Sequence, residues 1–252
     1  QHDYAGIGAL INAVPERNRA VILAVFDGSP AETVGLQPRD AIISVDGTPI
    51  LDEEGYLRDI VRGPVGTTIT LLVQTPGEEA RQVSVTRHRI TGSVPVEYSV
   101  FTTPAGLRIG YILLVTFDDS TVDEQVGELL HIMTAAEPLD GLILDNRLNG
   151  GGSNTVLEPI LGYFSGGVAG YYVSRAEERP LSIRPNDINR SQQVPLVILV
   201  GSGTASFGEI FSGVLQDSGR AYLIGSITGG NVEILWGYDF EDGSRVWLAS
   251  ET

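Results

Sequence analysis

Val194-Pro195-Leu196-Val197-Ile198-Leu199-Val200-Gly201-Ser202-Gly203-Thr204-Ala205-Ser206-Phe207-Gly208-Glu209-Ile210-Phe211 is the stretch whose reading decides the fold. The apolar run from Val194 to Val200 has the continuity of a strand buried on both faces. It enters a turn of small residues at Gly201-Ser202-Gly203-Thr204-Ala205-Ser206. Phe207, Ile210, Phe211, Val214 and Leu215 then recur at helical spacing until Asp217-Ser218-Gly219. Strand, tight turn and amphipathic helix predict one unit of an α/β layer.

The flanking sequence repeats the pattern. Leu142-Ile143-Leu144-Asp145 predicts a second buried strand, running into Asn149-Gly150-Gly151-Gly152, and Tyr222-Leu223-Ile224-Gly225 a third. Leu107 to Phe117 predicts a long strand. Ser120-Thr121-Val122-Asp123 opens a helix whose apolar face is Val122, Val126, Leu129, Leu130 and Met133. Before residue 92 the spacing is shorter. Strands are predicted at Ala20–Phe26, Asp40–Val45, Thr68–Val73 and Gln82–Thr86, with short helices at Ala31–Val34 and Leu57–Val61 and turns at Asp27-Gly28-Ser29-Pro30 and Asp46-Gly47. The expectation is an α/β (α+β) protein of two domains, residues 5–91 and 92–252.

Composition narrows the chemistry. The net charge of −16 disfavours nucleic acid and anionic membranes as partners. All 16 basic residues are arginine, so the chain has no P-loop lysine, Schiff-base lysine or Ser/Lys dyad of its own. The absence of cysteine excludes disulfides, thiol nucleophiles and cysteine-bound metal, and it fits an exported protein. No apolar run reaches membrane length, and Gln1-His2-Asp3-Tyr4 is not a signal peptide. An extracytoplasmic (periplasmic or secreted) location is expected, with any export signal left off.

Gly28-Ser29-Pro30-Ala31, Gly35-Leu36 and Asp40-Ala41-Ile42-Ile43-Ser44-Val45-Asp46-Gly47 together resemble bacterial PDZ domains, over about residues 5–90. The resemblance implies a loop, here Gly6-Ile7-Gly8-Ala9-Leu10, whose N–H groups hold a peptide's C-terminal carboxylate while the peptide adds as a strand. A dinucleotide fingerprint would need glycine at position 11, where Ile11 stands. Read without the resemblance, Gly6 and Gly8 merely relieve a tight strand entry.

Leu144-Asp145-Asn146-Arg147-Leu148-Asn149-Gly150-Gly151-Gly152 is similar to the Asp-x-Arg-x-Asn-x-Gly-Gly turn of C-terminal processing peptidases, also called tail-specific proteases. Gly203 to Ile210, with Leu215-Gln216-Asp217-Ser218-Gly219-Arg220-Ala221, resembles their nucleophile turn and helix, and a PDZ domain ahead of these motifs is that family's order. The resemblance implies a ClpP/crotonase-like α/β core and a serine endopeptidase acting near protein C-terminal tails, with no metal or organic cofactor. Ser206 would be the nucleophile, with Phe207 and Gly151 supplying backbone N–H groups to the oxyanion. From pattern alone, Ser206-Phe207-Gly208-Glu209 is equally a capping box, and Asp145 and Arg147 are as readily a structural pair as a catalytic one.

One departure is large. Where the family carries its catalytic lysine, the run Gly225-Ser226-Ile227-Thr228-Gly229-Gly230-Asn231 ends in asparagine, which is no general base. A tricorn-like branch of the family uses a histidine ahead of the PDZ domain instead. Of the three histidines, His88 and His131 are expected to be solvated, and His2 lies too close to the first loop. The expectation is therefore an upstream histidine outside this chain, with Glu233 as its orienting carboxylate and Asn231 as a polar positioning group. Asp242-Gly243-Ser244-Arg245-Val246-Trp247-Leu248 resembles the hairpin after the active site, and the chain is expected to be trimmed at both ends. The competing class is an inactive peptide-binding scaffold of the same family. A retinoid- or lipid-binding relative is a third.

Overall fold

The computed structural model describes residues 2–241 and 243–251, with side chains described for residues 5–90, 93–241 and 243–251. The backbone divides into two units, residues 1–95 and 96–252. Among the described residues no helix is long and apolar enough to cross a membrane.

The first unit is strand-rich. β1 (His2–Gly6) leads to β2 (Ala9–Val14), a 3-10 turn at Pro15–Arg17, β3 (Arg19–Val25), α1 (Pro30–Thr33), β4 (Ala41–Val45), β5 (Thr48–Pro49), β6 (Thr68–Gln74), β7 (Arg81–Thr86) and β8 (His88–Gly92). The main sheet runs β2-β3-β4-β6-β7, with β5 paired to β4, and β1 pairs antiparallel with β8. β6 alternates as a half-buried strand should, sending Ile69, Leu71 and Val73 inward to Ile22, Ile42 and Val85. α1 starts where Ser29 Oγ accepts the Glu32 N–H at 3.2 Å and Pro30 occupies the first turn.

The expected helix at Leu57–Val61 does not form. Asp52 Oδ1 instead accepts the N–H groups of Glu54 and Tyr56, and Leu57 bridges back to Leu51. Five residues hemmed between Gly55 and Gly63-Pro64 cannot repay helix nucleation, so local turns win.

The second unit is layered. β9 (Tyr98–Thr102) and β10 (Arg108–Leu113) precede α2 (Val122–Thr134), β11 (Gly141–Asp145), α3 (Asn154–Phe164), the hairpin of β12 (Gly167–Val173) and β13 (Glu178–Ile183), β14 (Leu196–Val200), α4 (Phe207–Asp217), β15 (Tyr222–Gly225), and the hairpin of β16 (Ile234–Asp239) and β17 (Arg245–Glu251). The sheet order is β15-β14-β11-β10-β9, parallel except for β9 against β10. Apolar faces of the helices meet in one core, where Phe117 and Phe211 pack edge-to-face at 5.6 Å. The strand predicted to reach Phe117 ends at Leu113, because its partner β11 ends at Asp145. Beyond that point Phe117 pairs with the glycine turn: its N–H donates to Gly151 O at 2.7 Å.

This topology positions the site. β11 and β14 are neighbours in register, Asp145 opposite Leu199. The turns that leave their carboxyl ends are therefore side by side, as ligand-binding loops are in parallel sheets.

Candidate active site

The turn after β14 is locked from below. Thr204 is fully buried; its hydroxyl donates to Asn146 O at 2.6 Å and accepts the Gly201 N–H at 3.1 Å. The Ala205 N–H donates to Asn149 O at 3.0 Å. These bonds tie the two turns together and drive the next residue, Ser206, to φ 52°, ψ −128°, a region that residues with a Cβ seldom adopt. Glu209 and Ile210 donate their N–H groups to Ser206 O at 2.9 and 3.1 Å, so α4 begins immediately. Ser206 and Glu209 stand in a capping-box relation: Oε2 accepts the Ser206 N–H at 3.2 Å, and the Ser206 side chain faces the Glu209 N–H, whose hydrogen bond goes to Ser206 O at 2.9 Å. The hydroxyl is left for other chemistry.

Gly151 lies against it. A Cβ on Gly151 would sit 2.7 Å from Ser206 Cβ, 3.1 Å from Oγ and 3.0 Å from Phe207 N, and its φ is +100°, so both space and backbone require glycine. The Phe207 N–H, first in α4, has no hydrogen-bond partner among the described residues and stands where the helix dipole favours negative charge. The Gly151 N–H is engaged by Asn149 Oδ1 at 2.9 Å.

Asp145 and Arg147 form a bidentate pair at 2.9 and 2.6 Å, and Tyr111 donates its hydroxyl to Asp145 Oδ2 at 2.7 Å. Burial works against ionised Asp145, but hydrogen bonds from Arg147 and Tyr111 outweigh it and hold the carboxyl below its ordinary range. Tyr111 is pushed up to about 12 by burial and by the Asp145 charge. Both effects fit a brace at the base of the turn. Asn146 continues it, donating from Nδ2 to Gly208 O and Ser212 Oγ at 2.8 and 2.9 Å.

The loop carrying Asn231 arrives by its backbone: Asn231 O accepts the Ser206 N–H at 2.7 Å. Ser206, Phe207, Gly151 and Asn231 are thus brought together. Glu233 is exposed and makes no hydrogen bond or ion pair among the described residues. The carboxylate beside the serine is that of Glu209. Burial would raise its pKa, but hydrogen bonds from Thr228, Asn231, Gly230 and Ser206 prevail and lower it. The sequence showed Glu209 only as a cap, because its other partners come from a distant loop. His88 and His131 are exposed; the His2 side chain and Asp242 lie outside the described residues.

In the first unit, the carbonyls of Ile7 and Gly8 accept the N–H groups of Ala31 and Phe26 at 2.8 and 2.9 Å. Their own N–H groups have no partner among the described residues. Gly8 has φ +77°, and a Cβ there would lie 2.3 Å from Ser29 Cβ. Ala9 begins β2, an edge strand of its sheet.

A PDZ unit joined to a parallel α/β core is the class of protein these features define. A PDZ domain profile matches residues 21–75 and the peptidase family S41 profile matches residues 108–252. The chain belongs to peptidase family S41. It is 34% identical over 248 residues to a carboxyl-terminal-processing protease of Synechocystis, covering 97% of this chain and 57% of the relative. It is 27% identical to the carboxy-terminal processing protease CtpB of Bacillus subtilis, covering 97% and 50%. The solved structure of a photosystem II D1 C-terminal processing protease superposes with a TM-score of 0.62 at 27% identity, covering 98% of this chain and 66% of that one. The chain thus spans about half the length of the curated relatives it matches.

Proposed function

We propose that residues 5–91 act as a peptide-binding PDZ domain and residues 92–252 as the nucleophile-bearing core of a serine endopeptidase that cleaves proteins near their C-terminal tails. The observation that carries this reading is Ser206: a strained residue with an uncommitted hydroxyl, beside the free N–H of Phe207 and packed on Gly151. Strain of this kind is worth keeping where a nucleophile must stand proud of its turn. In the proposed reaction Ser206 Oγ bonds to the scissile carbonyl carbon as its proton passes to a base. The oxygen that gains charge is met by Phe207 N–H and by Gly151 N–H, which it takes over from Asn149 Oδ1. The C–N bond then breaks, the leaving amine takes the proton, and water hydrolyses the acyl-enzyme.

The base is the point of departure from a Ser/Lys pair, since the chain has no lysine and Asn231 stands at that position. We assign the role to a histidine from outside this chain. Glu209 has both oxygens committed, which leaves the unpartnered Glu233 as the carboxylate to orient the imidazole. Substrate tails would add to the open edge of β2, their carboxylates held by the N–H groups of Ile7 and Gly8. An extracytoplasmic location goes with this reading, as does the cysteine-free composition. A fluorophosphonate probe tests it: the whole protein should be labelled at Ser206, and a folded protein that resists labelling would be the inactive peptide-binding scaffold.

A further inference from the structure

Glu209 does more than a helix cap requires. Its Oε1 accepts the Thr228 hydroxyl at 2.6 Å and the Gly230 N–H at 2.7 Å; its Oε2 accepts the Asn231 N–H at 2.8 Å and the Ser206 N–H at 3.2 Å. A cap needs only the last of these. The other three run to the loop between β15 and β16, which has no regular hydrogen-bonded structure from 227 to 233. That loop also lacks an apolar anchor: Ile227 is 90% exposed, and residues 231–233 are exposed. What else pins it is backbone alone, Gly229 N–H to Thr204 O at 2.8 Å and Ser206 N–H to Asn231 O at 2.7 Å.

We propose that Glu209 is a positioning residue for the nucleophile: its carboxylate clamps the 228–231 loop onto Ser206, fixing both the serine's strained backbone and the place of Asn231 beside it. A carboxylate suits this task because it offers acceptor sites on two oxygens and no donor, matching four donors that converge from two directions. Glutamine, though isosteric, keeps one acceptor oxygen and turns an NH₂ group toward N–H donors. The clamp rests on the assignment of Ser206 as nucleophile, but its structural half can be read without any reaction.

Two measurements on the same variants separate the clamp from a cap. In Glu209→Gln, amide hydrogen exchange at Gly230 and Asn231 should quicken about tenfold or more while Phe211 and Leu215 in α4 keep their protection. Labelling of Ser206 by a fluorophosphonate should slow by about tenfold or more, as a misplaced reacting group does. Thr228→Val, which removes one bond of the four, should show a smaller loss of the same kind, and Thr228→Ser should restore it. Should Glu209→Gln fail to fold, the Thr228 pair carries the test. Unchanged exchange at 230 and 231, a loosened loop with undiminished labelling, or equal loss of protection along α4 would each overturn the proposal. If the unmodified protein is never labelled, the nucleophile assignment falls, and the exchange data alone decide whether Glu209 holds the loop.

Discussion

The Ser206 N–H donates to the Asn231 carbonyl at 2.7 Å, so the proposed nucleophile is bonded through its backbone to the residue proposed to stand in place of a lysine. On the proposed assignment of the base to a histidine outside the chain, these 252 residues alone should turn over peptide bonds barely above background. Asn231→Lys should add little to a whole protein that already has its imidazole. A jump of about a hundredfold or more in peptidase rate from that one substitution would show that the native protein lacks a base.

Ser206→Ala should abolish hydrolysis by the whole protein. The rate should rise through about pH 6 to 7 and then level, since a neutral imidazole is the active form and titrates near 6.5. Glu233→Gln should lower the rate by about tenfold or more without altering the melting temperature. A rate that keeps climbing above pH 8 would point away from histidine.

Gly151→Ala would force a Cβ to 2.7 Å from Ser206 Cβ at a φ of +100°. Activity should fall by about a hundredfold or more, in the range for loss of an oxyanion donor. Peptide binding by the first unit should be untouched, which calorimetry can check.

Stability of the second unit should depend on pH at both extremes through one brace. Asp145 is held below its ordinary range, so its contribution is present above the unfolded carboxylate pKa and is lost as pH falls through the folded one. Tyr111 is raised from 10.0 to about 12; its contribution is complete below pH 10 and is lost as pH rises toward the folded value. Tyr111→Phe should remove that alkaline loss in a urea titration and shrink the acid limb without abolishing it, since Arg147 still holds Asp145.

The first unit should prefer free carboxylates. A peptide amidated at its C-terminus should bind about tenfold more weakly than the acid, or about 1.4 kcal/mol, by calorimetry. Acidic tails should bind less well than apolar or basic ones against a net charge of −16, and salt should narrow the gap. Equal affinity for acid and amide would remove the role given to Ile7 and Gly8.

Legibility followed locality. α2, α4, β11 and β14 were readable because each carries a complete period of apolar residues within itself. α3 is not legible in the sequence: Pro159 sits in its middle, and Val156, Leu157, Ile160, Leu161, Tyr163 and Phe164 are all buried, which leaves little polar face to mark the period. Leu57–Val61 carries helical spacing without forming a helix, because apolar spacing alone does not reveal that Asp52 captures the preceding turn. Within the site, Ser206, Phe207 and Gly151 were legible from motif, whereas Glu209 looked like a cap and nothing more.

Sequence by itself determined the strand-turn-helix units, the glycine and serine turns at their ends, the family these motifs mark, and the absence of any lysine. Only the tertiary structure decided that β11 lies beside β14, which sets Gly151 against Ser206, and that a distant loop returns to donate three hydrogen bonds to Glu209. The reason is physical. Periodicity and turn chemistry act over a few residues, but sheet order and loop closure join groups far apart in the chain, and the charge, strain and free donors of the site arise where those groups meet.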